Sequence, residues 1–189
     1  MFAFEFDIIE AETAAETDQV VALLRDYKLW LSRRYVNETL ILEEHFDDNE
    51  WQSELADLKG HYGAPFGAIL LARANGVAAG CVMLRGIGED IGEVKRLFVR
   101  PAYHGLGIGR ALLTRLASLA LQRGYRTLRL ETGARQTEAQ NLYGSAGFHR
   151  IAPYYEVTGW FKDNMRFFEA PSQIVAAANN APAQLPVAA

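Results

Sequence analysis

The residues best placed to do chemistry run from 104 to 110, His104-Gly105-Leu106-Gly107-Ile108-Gly109-Arg110. Three alternating glycines lead straight into an apolar pattern of helical period, so the stretch predicts a turn that opens a helix. A helix N-terminus carries unpaired N–H groups and about half a positive charge, which makes it an anion site. Glycine lets a phosphate approach that backbone with no Cβ in the way. Two phosphate-binding loops are excluded by the letters themselves. A P-loop ends in Gly-Lys-Ser/Thr, whereas Gly109 is followed by Arg110 and Ala111. The dinucleotide pattern G-x-G-x-x-G needs its third glycine one residue later, in a turn after a first parallel strand rather than after a hairpin.

Composition narrows the partners. The 189 residues suffice for one domain burying roughly two-thirds of its unfolded surface. With 22% charged residues, a formal net charge of −4 and no block of Lys or Arg, nucleic acid is not the expected partner. No run approaches 18 apolar residues, and the first residues, MFAFEFDIIEAE, lack the basic start of a signal peptide. A cytoplasmic protein with no membrane partner is therefore expected. The single cysteine, Cys81, allows no internal disulfide, and His45, His61, His104 and His149 show no metal-ligand spacing, so no metal is expected. Cys81 sits in the apolar run AAGCVML without an adjacent His or acid, which favours packing over a covalent acyl-enzyme.

The elements that must position the glycine turn follow from periodicity. Residues 2–10 predict a strand. A helix follows, with Val20, Val21, Leu23, Leu24, Tyr27 and Leu31 on one side and Thr17 or Asp18 as cap. A shorter helix is expected at 50–59. Asn75-Gly76 joins two strands as a tight hairpin, since both residues tolerate positive φ. A strand at 93–100 feeds the glycine turn, and a helix over 107–123 presents Ile108, Ala111, Leu112, Leu116, Leu119 and Ala120 as its apolar stripe. The strand YRTLRLET, the helix RQTEAQNLYGSA closed by Gly147, and the strands FHRI and NMRFFEA complete the order. This predicts an α+β fold: one domain over residues 1–170, a mixed central sheet flanked by helices. Residues 171–189 carry no charge and three of the six prolines, and are expected to form a disordered tail.

Two motifs carry a family resemblance. The stretch RLFVRPAYHGLGIGRALL resembles the acyl-CoA-binding signature of the GNAT family of N-acetyltransferases, whose pattern Arg/Gln-x-x-Gly-x-Gly/Ala falls on His104 to Gly109. LYGSAGF, Leu142 to Phe148, resembles the family's Leu-Tyr-x-x-x-Gly-Phe, and LRLET is similar to the strand between the two. The resemblance runs from about residue 4 to 168, by element order alone in the N-terminal third. It implies a GNAT-like domain that binds acetyl-CoA as co-substrate, with backbone amides of residues 105–110 on the pyrophosphate. His104, Gly105, Gly107, Ile108, Gly109 and Arg110 are the implied contacts there, and Leu97, Phe98 and Val99 would lie along the pantetheine arm. His104 replaces the usual Arg or Gln, and Gln136 stands where many relatives carry Asn; Gln136 is the implied cofactor contact on the later helix.

The implied chemistry is direct transfer of an acetyl group to a primary amine of a small molecule or peptide. From Val99 back to Glu93 is about 20 Å at ~3.3 Å per residue, the scale of an extended pantetheine arm. An alkyl amine with a pKa of about 10.4 is almost wholly protonated at neutral pH, so a general base is needed. Glu93, eleven residues before His104, is the implied base; Glu89 and Asp90 are alternatives, and a structural pairing of Glu93 with Lys95 or Arg96 competes with all three. Tyr143 is the implied partner of the departing thiolate. Five acids in residues 43–50 either form a solvated acidic loop or, as the resemblance implies, border the acceptor site, and Trp30, Phe46, Trp51 and Trp160 line either that site or the core. The sequence leaves a homodimer open.

Overall fold

A computed structural model describes residues 5–38 and 48–178 of the chain. Strand β1 (Phe6–Glu10) leads into helix α1 (Ala14–Arg34). The helix begins one turn earlier than Thr17 or Asp18 would place it. Thr13 is its N-cap: the Thr13 hydroxyl accepts from the Glu16 N–H, and the Glu16 carboxylate accepts from the Thr13 N–H at 2.9 Å. This reciprocal capping box satisfies two N–H groups at once, and Thr17 instead donates its hydroxyl to the Ala14 carbonyl at 2.9 Å.

Two short helices, α2 (Asp48–Ala56) and α3 (Leu58–Tyr62), replace the single helix expected at 50–59. Asp57 divides them: its carboxylate accepts from the Gly60 N–H and caps α3. Strands β2 (Ala68–Ala74) and β3 (Val77–Gly86) form the hairpin, with φ +49° at Asn75 and +78° at Gly76, as a two-residue turn of this kind requires. Then come β4 (Ile91–Val99), a short 3-10 turn at Pro101–Tyr103, α4 (Ile108–Gln122), β5 (Thr127–Gly133), α5 (Thr137–Ser145), β6 (His149–Ile151), α6 (Gly159–Asn164), β7 (Met165–Pro171) and α7 (Ser172–Ala177).

The seven strands make one mixed sheet in the order β1-β2-β3-β4-β5-β7-β6. All neighbours are antiparallel except β4 and β5, and that parallel pairing is brief. Ile91, Gly92 and Glu93 face Thr127, Leu128 and Arg129, and beyond them no further β4–β5 partners occur. β5 stays with β7 along its whole length, while β4 stays with β3 to Val99. The sheet therefore splits down its middle, leaving residues 94–99 and 130–133 as the two walls of a wedge. β4 also carries a bulge: Cys81 faces Phe98 but Met83 faces Lys95, and Arg96 adopts φ +57°. An extra residue there bends the strand and turns its side chains out of simple alternation.

Each face of the sheet has its own core. Leu112, Leu113, Leu116 and Ala120 of α4 pack with Leu70, Val82, Leu84 and Leu128 on one side. Val20, Leu23, Leu24 and Leu31 of α1 pack with Leu71, Cys81, Met83 and Phe98 on the other. Burial pushes the Cys81 thiol up to about 12, consistent with a packing role.

The C-terminal segment departs from the expected disorder. Residues 172–177 are helical, and α7 lies against α4 with Val175 fully buried. Ile174 and Val175 are the apolar pair that a reading by composition passes over. This contact explains why Leu113, Thr114 and Ala117, outside the predicted stripe of α4, are also buried. Residues 179–189 lie outside the described residues. Val175→Ala is expected to lower stability by about 1.5–3 kcal/mol in urea denaturation. A disordered tail would give no change.

Candidate active site

The glycine turn has the properties its sequence predicts. Gly105 and Gly107 have φ +78° and +83°, and a Cβ built on either meets no atom within 4 Å. Gly107 is the N-cap of α4 with no side-chain cap, and the first helical bond is Ala111 N–H to Gly107 O at 3.0 Å. Among the described residues, none of the backbone N–H groups of 105–110 has an acceptor. These N–H groups gather at the positive end of a four-turn helix, with open space beside Gly105 and Gly107, which is an anion site built from backbone alone. Gly109 differs from the other two: its Cβ position lies 3.3 Å from Leu142 Cδ2, so it serves the close packing of α4 on α5.

The side chains around the turn are already engaged. His104 Nε2 lies 2.8 Å from the Val99 carbonyl and donates to it, pinning the turn to the end of β4. Arg110 donates to the Ser145 hydroxyl at 2.6 Å, tying α4 to the end of α5. A cavity of about 360 Å³ lies against these residues, with Leu97, Phe98, Val99, Ile108 and Trp30 in its walls. Arg34, whose guanidinium sits 4.5 Å from the Trp30 ring centroid, also pairs with Glu138 at 2.5 Å. That bond overcomes burial and holds the Glu138 carboxyl below its usual range.

From there the space continues into the wedge. A smaller cavity of about 80 Å³ is bounded by Val94, Lys95 and Leu97 of β4 and by Glu131, Thr132 and Gly133 of β5. Tyr27, Leu97, Gln136 and Ala139 wall both cavities, so the two adjoin. Gln136 is buried, and its Oε1 accepts from the Gly133 N–H at 2.7 Å and from the Thr132 hydroxyl at 2.9 Å. Its side chain also bonds Tyr27. It shapes the floor where the cavities meet.

Tyr143 faces the wedge. It is 5% exposed, packs edge-on against Phe148, and its hydroxyl has no hydrogen-bond partner among the described residues. Burial pushes the phenol above its usual pKa, so it remains a proton donor. Trp160 lines the same cavity, whereas Trp51 is core. Phe46 and residues 43–47 of the acidic run lie outside the described residues.

The predicted base has company. Glu93 is 2% exposed, and its two oxygens accept from Arg85 Nε at 2.6 Å and from the Tyr154 hydroxyl at 2.7 Å. It pairs with neither Lys95 nor Arg96, and it belongs to the last β4–β5 pair before the split. Lys95 instead donates to Glu131 at 2.9 Å, and Glu131 also accepts from Tyr155. Glu131 lines the wedge cavity together with Tyr143, and Glu93 does not. The sequence reading passed over Glu131 within LRLET. Its signal lay in register: β5 alternates buried Leu128 and Leu130 with Arg129 and Glu131, which puts this acid opposite the apolar face. Glu89 and Asp90 are exposed in the β3–β4 turn.

On the far side of β4 lies a polar hollow of about 620 Å³, walled by α2, α3, Arg85, Lys95 and Arg96. Lys95 and Arg96 border both this hollow and the wedge, so the three spaces adjoin in sequence. Arg96 forms two bonds to Glu54, at 2.6 and 2.9 Å, and stacks 5.0 Å from the Trp51 ring centroid. Burial opposes ionisation of Glu54, but the Arg96 bonds outweigh it and hold the carboxyl below its usual 4.5. A carboxylate depressed in the folded state stabilises the fold above its unfolded pKa, and that stability is lost as pH falls through the lower folded value. Glu54→Gln is expected to cost about 3–5 kcal/mol in urea denaturation at pH 7, because it strands a buried guanidinium. The difference from wild type should shrink below about pH 4.5.

With the split sheet, the uncapped glycine turn and the wedge tyrosine described, the comparisons with known proteins agree. Residues 18–148 match the Acetyltransferase (GNAT) family, and the chain belongs to that family. An uncharacterized N-acetyltransferase of Schizosaccharomyces pombe is 38% identical over 104 residues, 54% of this chain and 64% of that one. The chain thus spans just under two thirds of the length of that relative. A GNAT acetyltransferase from Staphylococcus aureus superposes with a TM-score of 0.68 at 20% identity, covering 89% of this chain and 99% of that one. The acetyltransferase YncA of Salmonella typhimurium, solved with acetyl-CoA, gives 0.62 at 21% identity over 88% of this chain and 94% of its own. The last two likenesses bear on fold, and the fold is the predicted single α+β GNAT domain. No helix among the described residues is long and apolar enough to cross a membrane.

Proposed function

We propose that the protein is an N-acetyltransferase that passes the acetyl group of acetyl-CoA directly to a primary amine. The observation that carries this reading is the row of unpaired N–H groups at 105–110, opening onto a cavity that leads through the split sheet to Tyr143. The fit to acetyl-CoA rests on this chain's own features: empty space over Gly105 and Gly107 for a pyrophosphate, and the β5-facing edge of β4 along residues 94–99, which has no strand partner on that side, for the pantetheine arm. Bound acetyl-CoA supplies an activated acyl carbon.

The protein's residues manage protons and charge. Glu131, in the wedge, accepts a proton from the incoming ammonium, directly or through water. Lys95 and Tyr155 hold its two oxygens in place. The amine nitrogen then forms its bond to the acyl carbon as the bond to sulfur breaks, and the second proton lost by the nitrogen passes to the leaving thiolate or to water, giving the amide and the CoA thiol. Tyr143 donates a hydrogen bond to the sulfur as it takes on negative charge. A phenol of raised pKa is a poor acid but a sound donor, so its role is stabilisation by hydrogen bond. Glu93, engaged by Arg85 and Tyr154, orients the acceptor side; geometry favours Glu131 over Glu93 as base because Glu131 alone borders the wedge.

Adjoining donor and acceptor spaces favour a ternary complex, and Cys81 is buried and lines none of these spaces. Initial rates over a grid of acetyl-CoA and amine concentrations test this. Intersecting double-reciprocal lines are expected; parallel lines would indicate a covalent acyl-enzyme and overturn direct transfer. Acetyl-CoA binding without turnover of any amine would reduce the protein to a CoA-thioester binder.

A further inference from the structure

The polar hollow beyond β4 contains a guanidinium with unused donors. Arg85 lies near the end of β3, directly across from Glu93 in register, and its side chain is 43% exposed. Only its Nε is engaged, by Glu93 at 2.6 Å; neither terminal nitrogen has a partner among the described residues. The neighbouring cations are committed elsewhere, Arg96 to Glu54 and Lys95 to Glu131. Glu93 is itself fixed from behind by Tyr154, which sits 5.5 Å below Arg129. The plane of the Arg85 guanidinium is thus set by a buried acid, with its outer edge turned to a cavity that a substrate can enter. Such an edge matches a carboxylate with two parallel N–H bonds.

We propose that the acceptor is an amino carboxylate, its carboxylate held on the outer edge of Arg85 and its amine delivered to Glu131. This rests on the acyl-transfer reading above. Spacing supports it: Lys95, which holds Glu131, lies two residues along β4 from the partner of Arg85, about 6.6 Å. With a hydrogen bond at each end, a molecule whose amine and carboxylate are separated by a few bonds, as in an amino acid, fits between groups set apart on that scale. A polyamine would set a second ammonium against Arg85 and meet like charge in a partly buried site.

The test compares free L-amino acids with their C-terminal amides, which share the amine and side chain and differ in the anion. Steady-state kinetics with wild type are expected to favour the free acids by at least 10-fold in kcat/KM, expressed in KM. In Arg85→Gln that ratio should fall to near one. A general disturbance of Glu93 or of the fold would lower both substrates alike and leave the ratio standing. Amides acetylated as well as the acids, or a preference that survives Arg85→Gln, would overturn the proposal. Acetyl-CoA binding in a calorimeter without turnover of either series would overturn it too, leaving the donor site in place. Failure to bind acetyl-CoA would remove the acyl-transfer reading as well.

Discussion

Gly107→Val is expected to weaken acetyl-CoA binding by about 10²-fold or more while leaving a folded protein. Gly107 has φ +83°, a conformation a β-branched residue adopts only at a cost of about 1–2 kcal/mol. A Cβ at this position meets no protein atom within 4 Å, so the core is not disturbed, and the loss in stability should stay near that backbone cost. Its effect falls on the ligand. The side chain would occupy the space in front of the N–H groups of 105–110, and relief of the φ strain would turn several of them away. Hydrogen bonds to a charged group contribute about 1.5–3 kcal/mol each, so losing two removes at least 10²-fold in affinity. Calorimetric titration alongside urea denaturation separates the outcomes. A folded variant with unchanged affinity would show that the glycine turn does not hold the cofactor.

Glu131→Gln is expected to lower kcat by about 10²-fold with little change in acetyl-CoA affinity, since a general base contributes roughly 10²–10⁴-fold. Glutamine keeps the shape: its Oε1 still accepts from Lys95 and its NH2 can donate to the Tyr155 hydroxyl oxygen, so the wedge should remain intact. The distinguishing sign is a split between two measurements: kcat should fall while the acetyl-CoA Kd, read by calorimetric titration, stays at the wild-type value. Glu93→Gln, measured in parallel, is expected to act chiefly through KM of the amine, because Glu93 borders the hollow through Arg85. If Glu93→Gln instead lowers kcat and Glu131→Gln does not, the base assignment is reversed.

These two variants also mark where the sequence was legible. The glycine turn could be read directly, because positive φ at Gly105 and Gly107 and a helix start are local properties of the chain. The strand-helix-strand order around it followed from periodicity, and Asn75-Gly76 announced its hairpin. The split between β4 and β5 is not legible in the sequence: it arises because each strand follows its other neighbour, β5 keeping with β7, more than thirty residues away, and β4 keeping with β3. The same nonlocal arrangement sets Glu131 beside the wedge, a placement that the residues of β4 by themselves do not disclose. Arg96 is a further case. Its positive φ and bulge come from register with β3, and they turn it toward Glu54, forty-two residues earlier. The helix α7 is hidden for the opposite reason, since a six-residue segment with no charge and one large apolar pair is too short to offer a periodic signal. Packing against α4 makes it a helix.

Thermal unfolding with and without saturating acetyl-CoA, with NADH and ATP as controls, tests the central claim most directly. At about 100 times Kd a ligand adds ~2.7 kcal/mol, a rise in Tm of roughly 5–10 °C for a chain of this size. A shift of that order with acetyl-CoA and none with NADH or ATP is the predicted result. No shift with acetyl-CoA, together with one for NADH or ATP, would contradict the assignment of the glycine turn and the split sheet to a CoA thioester.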